Sequence, residues 1–252
     1  MKKTIISHFY NEEYLLPMWL KHHKQFFDDG LMIDYNSTDR SCEIIKEICP
    51  NWTIVKTRNE WFSAVDIDLE VMEYENNIDG WRIVLNTTEF LLGDYSGLDK
   101  IDSPTQFLIQ GYSVLDLDFV EIDPNIPFLD NNIKYLVSDD SVRNARSFHN
   151  FKGLSYPLGR HYLKFNTTDF MILHFKYFPM NKKMIDRMLQ IQHKCSPNDK
   201  QSGLGVEHHN WGKGLTEEDI WSVFNSYATR AAIDASEIIK NMKQKTGISP
   251  VS

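Results

Sequence analysis

The chain has 252 residues, enough for one large domain or two small ones around a substantial core. Hydrophobic residues make up 42% and charged residues 25%, the balance of an ordinary globular protein. With 27 Lys and Arg against 35 Asp and Glu, the net charge is −8, which argues against general nucleic-acid binding because phosphate neutralisation requires a basic surface.

The first hundred residues alternate between short β-prone runs and helical patterns. Leu15, Met18 and Trp19 recur at helical spacing, and Pro17 suits a first helical turn. This alternation predicts an α/β fold with a mostly parallel central sheet flanked by helices. The predicted strands are 4–9, 31–35, 52–57 and 80–84; the predicted helices are 14–23, closed by Asp29-Gly30, then 40–48, and a weaker one at 66–76.

The rest of the chain is less regular. Strands are predicted within 105–118 and 132–138. A single C-terminal helix is predicted over 216–244, because Thr216 and Asp219 resemble a capping box and Gly247 follows its end. No repeat or linker divides the sequence, so we expect one domain over 1–252.

The cysteine spacing and the short apolar runs predict a cytoplasmic location. Cys42, Cys49 and Cys195 form no CxxC pair and predict free core thiols under reducing conditions. The N-terminal apolar run is too short for a signal peptide, and no stretch reaches the roughly 18 apolar residues of a transmembrane segment. We therefore expect a cytoplasmic protein.

Polar residues cluster where the predicted strands end, at 8–12, 34–39, 58–59 and 86–89. Ligands of parallel α/β sheets bind beyond the carboxyl ends of the strands. Each cluster alone is typical of a cap or a turn. Their shared position on one edge of the sheet favours a ligand site.

Several blocks resemble a known family. "HFYNEEYLLPMWLKHH" and "MIDYNSTDRS" resemble the start of a GT-A fold glycosyltransferase, family 2-like, with viral and bacterial relatives. "GWRIVLNTTEFLL" is similar to the segment that carries the Asp-x-Asp-Glu-Phe motif of that fold. "YPLGRHY", "ILHFKYFPMNKKMIDRMLQIQ" and "DKQSGLGVEHH" are similar to later blocks, so the resemblance covers roughly residues 4 to 210.

This resemblance implies a Rossmann-like GT-A domain and a function in glycan biosynthesis. About 1–100 would bind the nucleotide sugar, about 101–215 would bind the acceptor, and 216–252 would form a C-terminal helix and tail. The enzyme would transfer a hexosyl or deoxyhexosyl group from a UDP-, GDP- or dTDP-sugar to a hydroxyl of a glycan or glycoconjugate, with inversion. If the chain is viral, its compartment would be the host cytoplasm.

The resemblance also implies donor-binding residues. Asp34 would meet the nucleoside, although a helix cap is an equally ordinary role for it, and Tyr10 and Tyr35 could be plain packing residues. Arg160, His161 and Lys176 could neutralise the leaving diphosphate directly. The full predicted donor set is Phe9, Tyr10, Asn11, Glu12, Asp34, Tyr35, Arg58, Asn86, Thr88 and Lys176.

The metal site of the family is altered here. Asn86 and Thr88 stand where the family has aspartates, and both are poor ligands for Mn²⁺ or Mg²⁺. We expect metal dependence to be weakened or absent. If a metal is retained, Glu89, His208 and His174 would be its protein ligands, although a lone histidine is more often structural.

The catalytic base and two alternative functions stay open. Asp116, Asp118, Asp139 and Asp140 are candidate bases because paired acids can raise one pKa, but such pairs also occur as loop residues or caps. The altered tip would also suit a catalytically inactive relative that binds a sugar nucleotide or a glycan. A third reading is an interaction protein whose polar strand ends are only turns.

Overall fold

The computed structural model describes residues 1–123, 125–137, 145–166, 168–230 and 232–247. Within them the strands are β1 (Lys3–Phe9), β2 (Asp29–Asp34), β3 (Thr53–Lys56), β4 (Trp81–Val84), β5 (Glu89–Gly93), β6 (Gln106–Ile109), β7 (Gly111–Leu115), β8 (Tyr135–Val137), β9 (Arg146–His149), β10 (Phe170–Tyr177) and β11 (Ala232–Asp234). The helices are α1 (Leu16–His23), α2 (Ser41–Ile48), α3 (Ala64–Glu75), α4 (Lys182–Gln190), α5 (Pro197–Ser202), α6 (Glu217–Arg230) and α7 (Ser236–Thr246).

The strands form two sheets, and both are mixed. The first has the order β3-β2-β1-β4-β9-β6, in which β1 to β4 run parallel and β9 is antiparallel to both of its neighbours. The second has the order β11-β8-β7-β10-β5, in which only β7 and β10 are parallel. The α/β class is confirmed, whereas a mostly parallel sheet describes only the β1–β4 part.

Helix α1 packs against strand β5 of the second sheet. The indole nitrogen of Trp19 donates to the carbonyl of Glu89 at 2.8 Å, and Nε2 of His22 lies 2.8 Å from the carbonyl of Leu91. Both contacts hold β5 in place directly after the polar tip at 86–88. Trp19 is fully buried and His22 nearly so, and burial lowers the pKa of His22 to about 4.

Two predictions about the helices are wrong. Helix α1 ends at His23, as predicted, but Asp29 and Gly30 do not close it: they begin β2, where Asp29 pairs with Thr4 of β1. The C-terminal segment is two helices with β11 between them, although Thr216 and Asp219 do form the expected reciprocal cap. Antiparallel pairing of β11 with β8 outweighs the helical pattern of the local sequence.

Other expectations can be compared with the structure. The three cysteines are free thiols, and Cys49 and Cys195 are buried. Residues 105–118 form β6 and β7, which belong to different sheets. In the described ranges, no helix has the length and apolar character needed to cross a bilayer. The division of one domain into donor and acceptor halves stays a prediction.

Candidate functional site

A cavity of about 490 Å³ opens at the carboxyl ends of β1 and β4. Its walls come from the end of β1, the tip 86–88, strand β10, helix α4, and short turns at 158–160 and 206–208. This is the sheet edge where α/β proteins bind ligands. The predicted residues that line it are Phe9, Tyr10, Glu12, Asn86, Thr88, Arg160, His161, His174, Lys176 and His208.

The tip between β4 and β5 is fixed by hydrogen bonds between Glu89 and Asn86. A carboxylate oxygen of Glu89 accepts the backbone N–H of Asn86 at 2.8 Å, and the backbone N–H of Glu89 donates to the carbonyl of Asn86 at 2.9 Å. The side chain of Glu89 is buried under the tip. Asn86, Thr87 and Thr88 therefore face the cavity as an uncharged group.

Glu89 itself is paired inside the protein. The guanidinium of Arg146 donates to its carboxylate at 2.7 and 2.9 Å, and both side chains are 1% exposed. Burial alone would raise the pKa of Glu89, but the charge of Arg146 and its hydrogen bonds lower that pKa to about 2. Glu89 does not line the cavity, so the expectation that it serves as a metal ligand is not supported.

The donor set does not fit a divalent cation. Asn86 and Thr88 offer only neutral oxygens, and the carboxylate of Glu89 is taken up by Arg146. In the part of the chain that the structure describes, no three His, Cys, Asp or Glu side chains are grouped as metal ligands. A role for His174 and His208 as metal ligands stays a prediction.

Arg160 is held at the cavity wall by Asp68. Its Nη1 donates to Asp68, which also accepts the backbone N–H of Gly159 at 2.7 Å. Gly159 has φ 70° and Arg160 has φ 58°, so this turn is left-handed at both residues. Burial lowers the pKa of Arg160, against the charge of Asp68. Its Nε is buried and, among the described residues, has no hydrogen-bond partner.

Lys176 is the cation least committed to the fold. It lies two residues after His174 along β10, and both side chains line the cavity. Within the described ranges it makes no hydrogen bond or ion pair. Burial lowers its pKa, and the charge of Glu207 opposes that effect. Its ammonium lies 5.5 Å from the ring centre of Tyr177.

The histidines of the cavity are neutral at pH 7. Burial lowers the pKa of His174 and of His208 to about 4, and that of His161 to about 3. These histidines are therefore not a source of positive charge in the cavity. His8 also lines it, and the Nδ1 atoms of His8 and His161 are buried without a partner among the described residues.

Arg187 is a cavity residue that the sequence analysis did not identify. Its Nε and Nη2 each lie 2.6 Å from a carboxylate oxygen of Glu12, across 175 positions of chain. Burial raises the pKa of Glu12, and the charge of Arg187 opposes it. Glu12 is thus an ion-pair partner in the wall. The quoted block that contains "MIDRM" was the only signal that pointed to Arg187.

Four predicted donor residues lie outside the cavity. Asp34 accepts the backbone N–H of Ser37 at 2.8 Å, and Asn11 accepts that of Thr38 at 2.7 Å. Tyr35 and Arg58 both contact Glu70. These side chains order the loops after β1, β2 and β3, so the structure gives them a positioning role. Phe62, packed edge-on against Tyr35 at 5.4 Å, lines the cavity in its place.

Two of the candidate bases, Asp116 and Asp118, do not line the cavity. Asp116 accepts the backbone N–H groups of Val120 and Met180, both at 2.9 Å, and so joins β7 to the start of α4. Asp118 pairs with Lys134 at 2.5 Å on the surface. Both carboxylates are used structurally. Asp139 and Asp140 lie outside the described residues.

Comparisons with known proteins give weak similarities. No family model and no curated protein match the chain. Among solved structures, it is similar to S. aureus TarS 1–349 in complex with UDP-GlcNAc, with a TM-score of 0.40 at 12% identity over 77% of this chain and 66% of that chain. For the UDP complex the TM-score is 0.36 at 14% identity, over 60% of this chain and 47% of that chain.

A further solved structure is HddC from Yersinia pseudotuberculosis, with a TM-score of 0.31 at 12% identity over 90% of this chain and 100% of that chain. The chain spans about half the length of the first TarS structure it matches, 47%. At these TM-scores the similarities are too low to support a fold family or a function for this chain.

Proposed function

We propose that this chain is a GT-A-like glycosyltransferase that moves a sugar from a nucleotide-diphosphate sugar to an acceptor hydroxyl, with inversion. The observation that carries the proposal is the meeting, in one cavity at the carboxyl end of the sheet, of an uncharged tip with the free donors of Arg160 and Lys176. The sequence blocks that resemble glycosyltransferases supply the same strand ends and the same turn.

The leaving diphosphate would be stabilised by N–H donors. Glu12 and Asp68 already balance Arg187 and Arg160, so the cavity is not strongly cationic. However, a guanidinium has five N–H donors, and Arg160 keeps a buried Nε with no partner among the described residues. Lys176 adds a charge with no ion pair in the described ranges. Preorganised donors of this kind stabilise charge that develops in the transition state.

The neutral tip suits the same task. Two aspartates at 86 and 88 would repel a diphosphate unless a cation lay between them. Asn86 and Thr88 can instead donate hydrogen bonds to phosphate or ribose oxygens. We therefore propose a UDP-, GDP- or dTDP-sugar as donor, bound without a bridging metal, and the hydroxyl of a glycan or glycoconjugate as acceptor.

The nucleoside would stack on Phe62 or Tyr10. Both rings line the cavity, whereas Tyr35 lies behind Phe62. Tyr10 is fixed by a 3.0 Å contact between its hydroxyl and Nε2 of His193. Aromatic stacking on a base is worth about 1–3 kcal/mol. In this proposal the donor lies nearer to α3 and α4 than to the loop of Asp34.

A binding protein without catalysis is the second candidate. It is favoured by the pairing of Glu12 and Asp68 with arginines, which leaves neither carboxylate free to take a proton. Thermal stabilisation by UDP, GDP and dTDP tests for binding, and release of nucleoside diphosphate from the corresponding sugars tests for transfer. Stabilisation with release supports the enzyme, stabilisation without release supports the binding protein, and neither would refute both.

A further inference from the structure

We propose that Glu207 is the catalytic base that takes the proton from the acceptor hydroxyl. This assignment rests on the proposed sugar transfer and names a residue for a role that the sequence analysis left to four aspartates. The evidence is the set of ion pairs and hydrogen bonds that each carboxylate of the cavity wall makes, together with the hydrogen bonds that fix the turn 206–208.

The other cavity carboxylates are committed to the fold. Glu12 binds Arg187 through both oxygens, and Asp68 binds Arg160 and the N–H of Gly159. Asp199 accepts the backbone N–H of Ala64 at 2.8 Å and so fixes the start of α3. Glu207 also lines the cavity, but among the described residues no arginine or lysine lies within ion-pair distance of it.

The turn that carries Glu207 is fixed by hydrogen bonds of the neighbouring residue His209. His209 is 1% exposed, and its ring bridges the carbonyl of Leu204 at 2.8 Å and the N–H of Gly212 at 3.2 Å. Gly205, with φ 64°, starts the turn, and its carbonyl accepts the N–H of His208 at 2.9 Å. The main chain is therefore fixed while the side chain of Glu207 remains 53% exposed at the cavity.

The surroundings of Glu207 suit a proton acceptor. Nε2 of His208 lies 3.8 Å from its Oε1, and the edge of the His208 ring packs against Phe62. Burial works to raise the pKa of Glu207, and the charge of Lys176 is among the effects that lower it. The carboxylate is thus ionised at neutral pH, and an acceptor that enters from solvent reaches it before the deeper donor groups.

The proposed step is balanced within the two substrates and Glu207. The acceptor oxygen attacks the anomeric carbon as its proton moves to a carboxylate oxygen of Glu207. The bond between the anomeric carbon and the β-phosphate oxygen breaks, and its electron pair leaves with the nucleoside diphosphate. Glu207 then returns its proton to water.

Azide separates this role from a structural one, because it attacks the anomeric carbon without having a proton to lose. The experiment compares wild type, Glu207→Gln and Glu237→Gln, an exposed α7 residue, with whichever UDP-, GDP- or dTDP-sugar the wild type consumes fastest. Nucleoside-diphosphate release is measured with water alone and with added azide. We expect Glu207→Gln to slow the water reaction about 10²- to 10⁴-fold and to leave the azide reaction near wild type.

Each outcome decides one proposal. An unchanged water reaction in Glu207→Gln, or an equal loss with water and azide, would overturn the assignment of Glu207. Loss of the acid limb of the pH–rate profile in the variant would support it. Wild-type protein that consumes no sugar nucleotide, with water or with azide, would overturn the proposed sugar transfer and with it this inference.

Discussion

Arg146 holds Glu89 with Nη2 2.7 Å from Oε1, and its Nη1 donates to the carbonyl of Gly159, also at 2.7 Å. Glu89 in turn accepts the N–H of Asn86. One guanidinium on β9 therefore joins the tip 86–88 to the turn 158–160, two walls of the cavity. Arg146 does not line the cavity, yet the spacing of Asn86 and Arg160 depends on it.

Replacing Glu89 tests this connection. Glu89→Gln leaves the buried Arg146 without its counter-charge, and breaking such a pair from one side costs about 3–5 kcal/mol. The free energy of unfolding should fall by that amount in urea titrations. Glu237→Gln, on the exposed face of α7, is the matched control and should change it by less than about 0.5 kcal/mol. Equal stabilities of the two variants would count against the pair as a main support.

Buried neutral histidines predict acid sensitivity. The pKa of His22 is lowered to about 4, whereas in the unfolded chain it is near 6.5. Below pH 6.5 the unfolded state binds the proton and the folded state does not, so stability falls as the pH drops from 6.5 toward 4. His22 alone should cost about 1–2 kcal/mol between pH 7 and pH 5.

Urea titrations over that range measure the slope, and His22→Gln is the comparison. The glutamine can still donate to the carbonyl of Leu91 but does not titrate, so its stability should change less with pH. Parallel pH curves for the two proteins would show that His22 is not responsible. Glu89 does not interfere, since its contribution is lost only as the pH falls from 4.5 to about 2.

Lys176 should matter for binding more than for folding. Its ammonium has no ion-pair partner in the described ranges, so Lys176→Gln removes a charge without breaking an ion pair of the fold. A hydrogen bond to a charged phosphate is worth about 1.5–3 kcal/mol, which is about tenfold or more in affinity. Calorimetric titration with UDP and GDP should show this loss. Lys240→Gln, an exposed α7 residue, should bind as wild type does.

The sequence predicted local structure well and distant contacts poorly. The strand before the tip, the helix start at Thr216 and the polar edge of the sheet all follow from short patterns of neighbouring residues. The pairing of Glu12 with Arg187 joins residues 175 positions apart, and no local pattern contains it. For the same reason, the sequence predicts helix where β11 forms: its partner β8 lies about a hundred residues earlier.

The predicted donor residues show why the position of a residue in a motif does not determine whether its side chain lines the cavity. Asp34 and Asn11 stand at strand ends, as predicted, but Asp34 accepts an N–H group of its own loop and Asn11 accepts one from the loop after β2. A carboxylate at a strand end can face the ligand or close the loop, and the sequence is the same for both. Phe62 was not identified because an aromatic residue between strand and helix carries no periodic signal.

Variants of Asp34 and Phe62 distinguish two positions for the nucleoside, one beside the loop of Asp34 and one against Phe62. Asp34→Ala should lower stability by about 1 kcal/mol through loss of its bond to Ser37, and leave nucleotide affinity unchanged. Phe62→Leu should weaken UDP and GDP binding by about 1–3 kcal/mol through lost stacking. Both affinities are measured by titration of folded protein. Weaker nucleotide binding in Asp34→Ala, with unchanged binding in Phe62→Leu, would instead support a nucleoside site at the loop of Asp34.

The measurement that most directly tests the central claim is nucleoside-diphosphate release from a sugar nucleotide after exhaustive EDTA treatment. If Arg160, Lys176 and the neutral tip bind the diphosphate, the chelated wild-type protein should retain most of its rate, and Arg160→Ala should lose it. Complete loss of release on chelation, with full recovery when Mn²⁺ is added back, would contradict the claim.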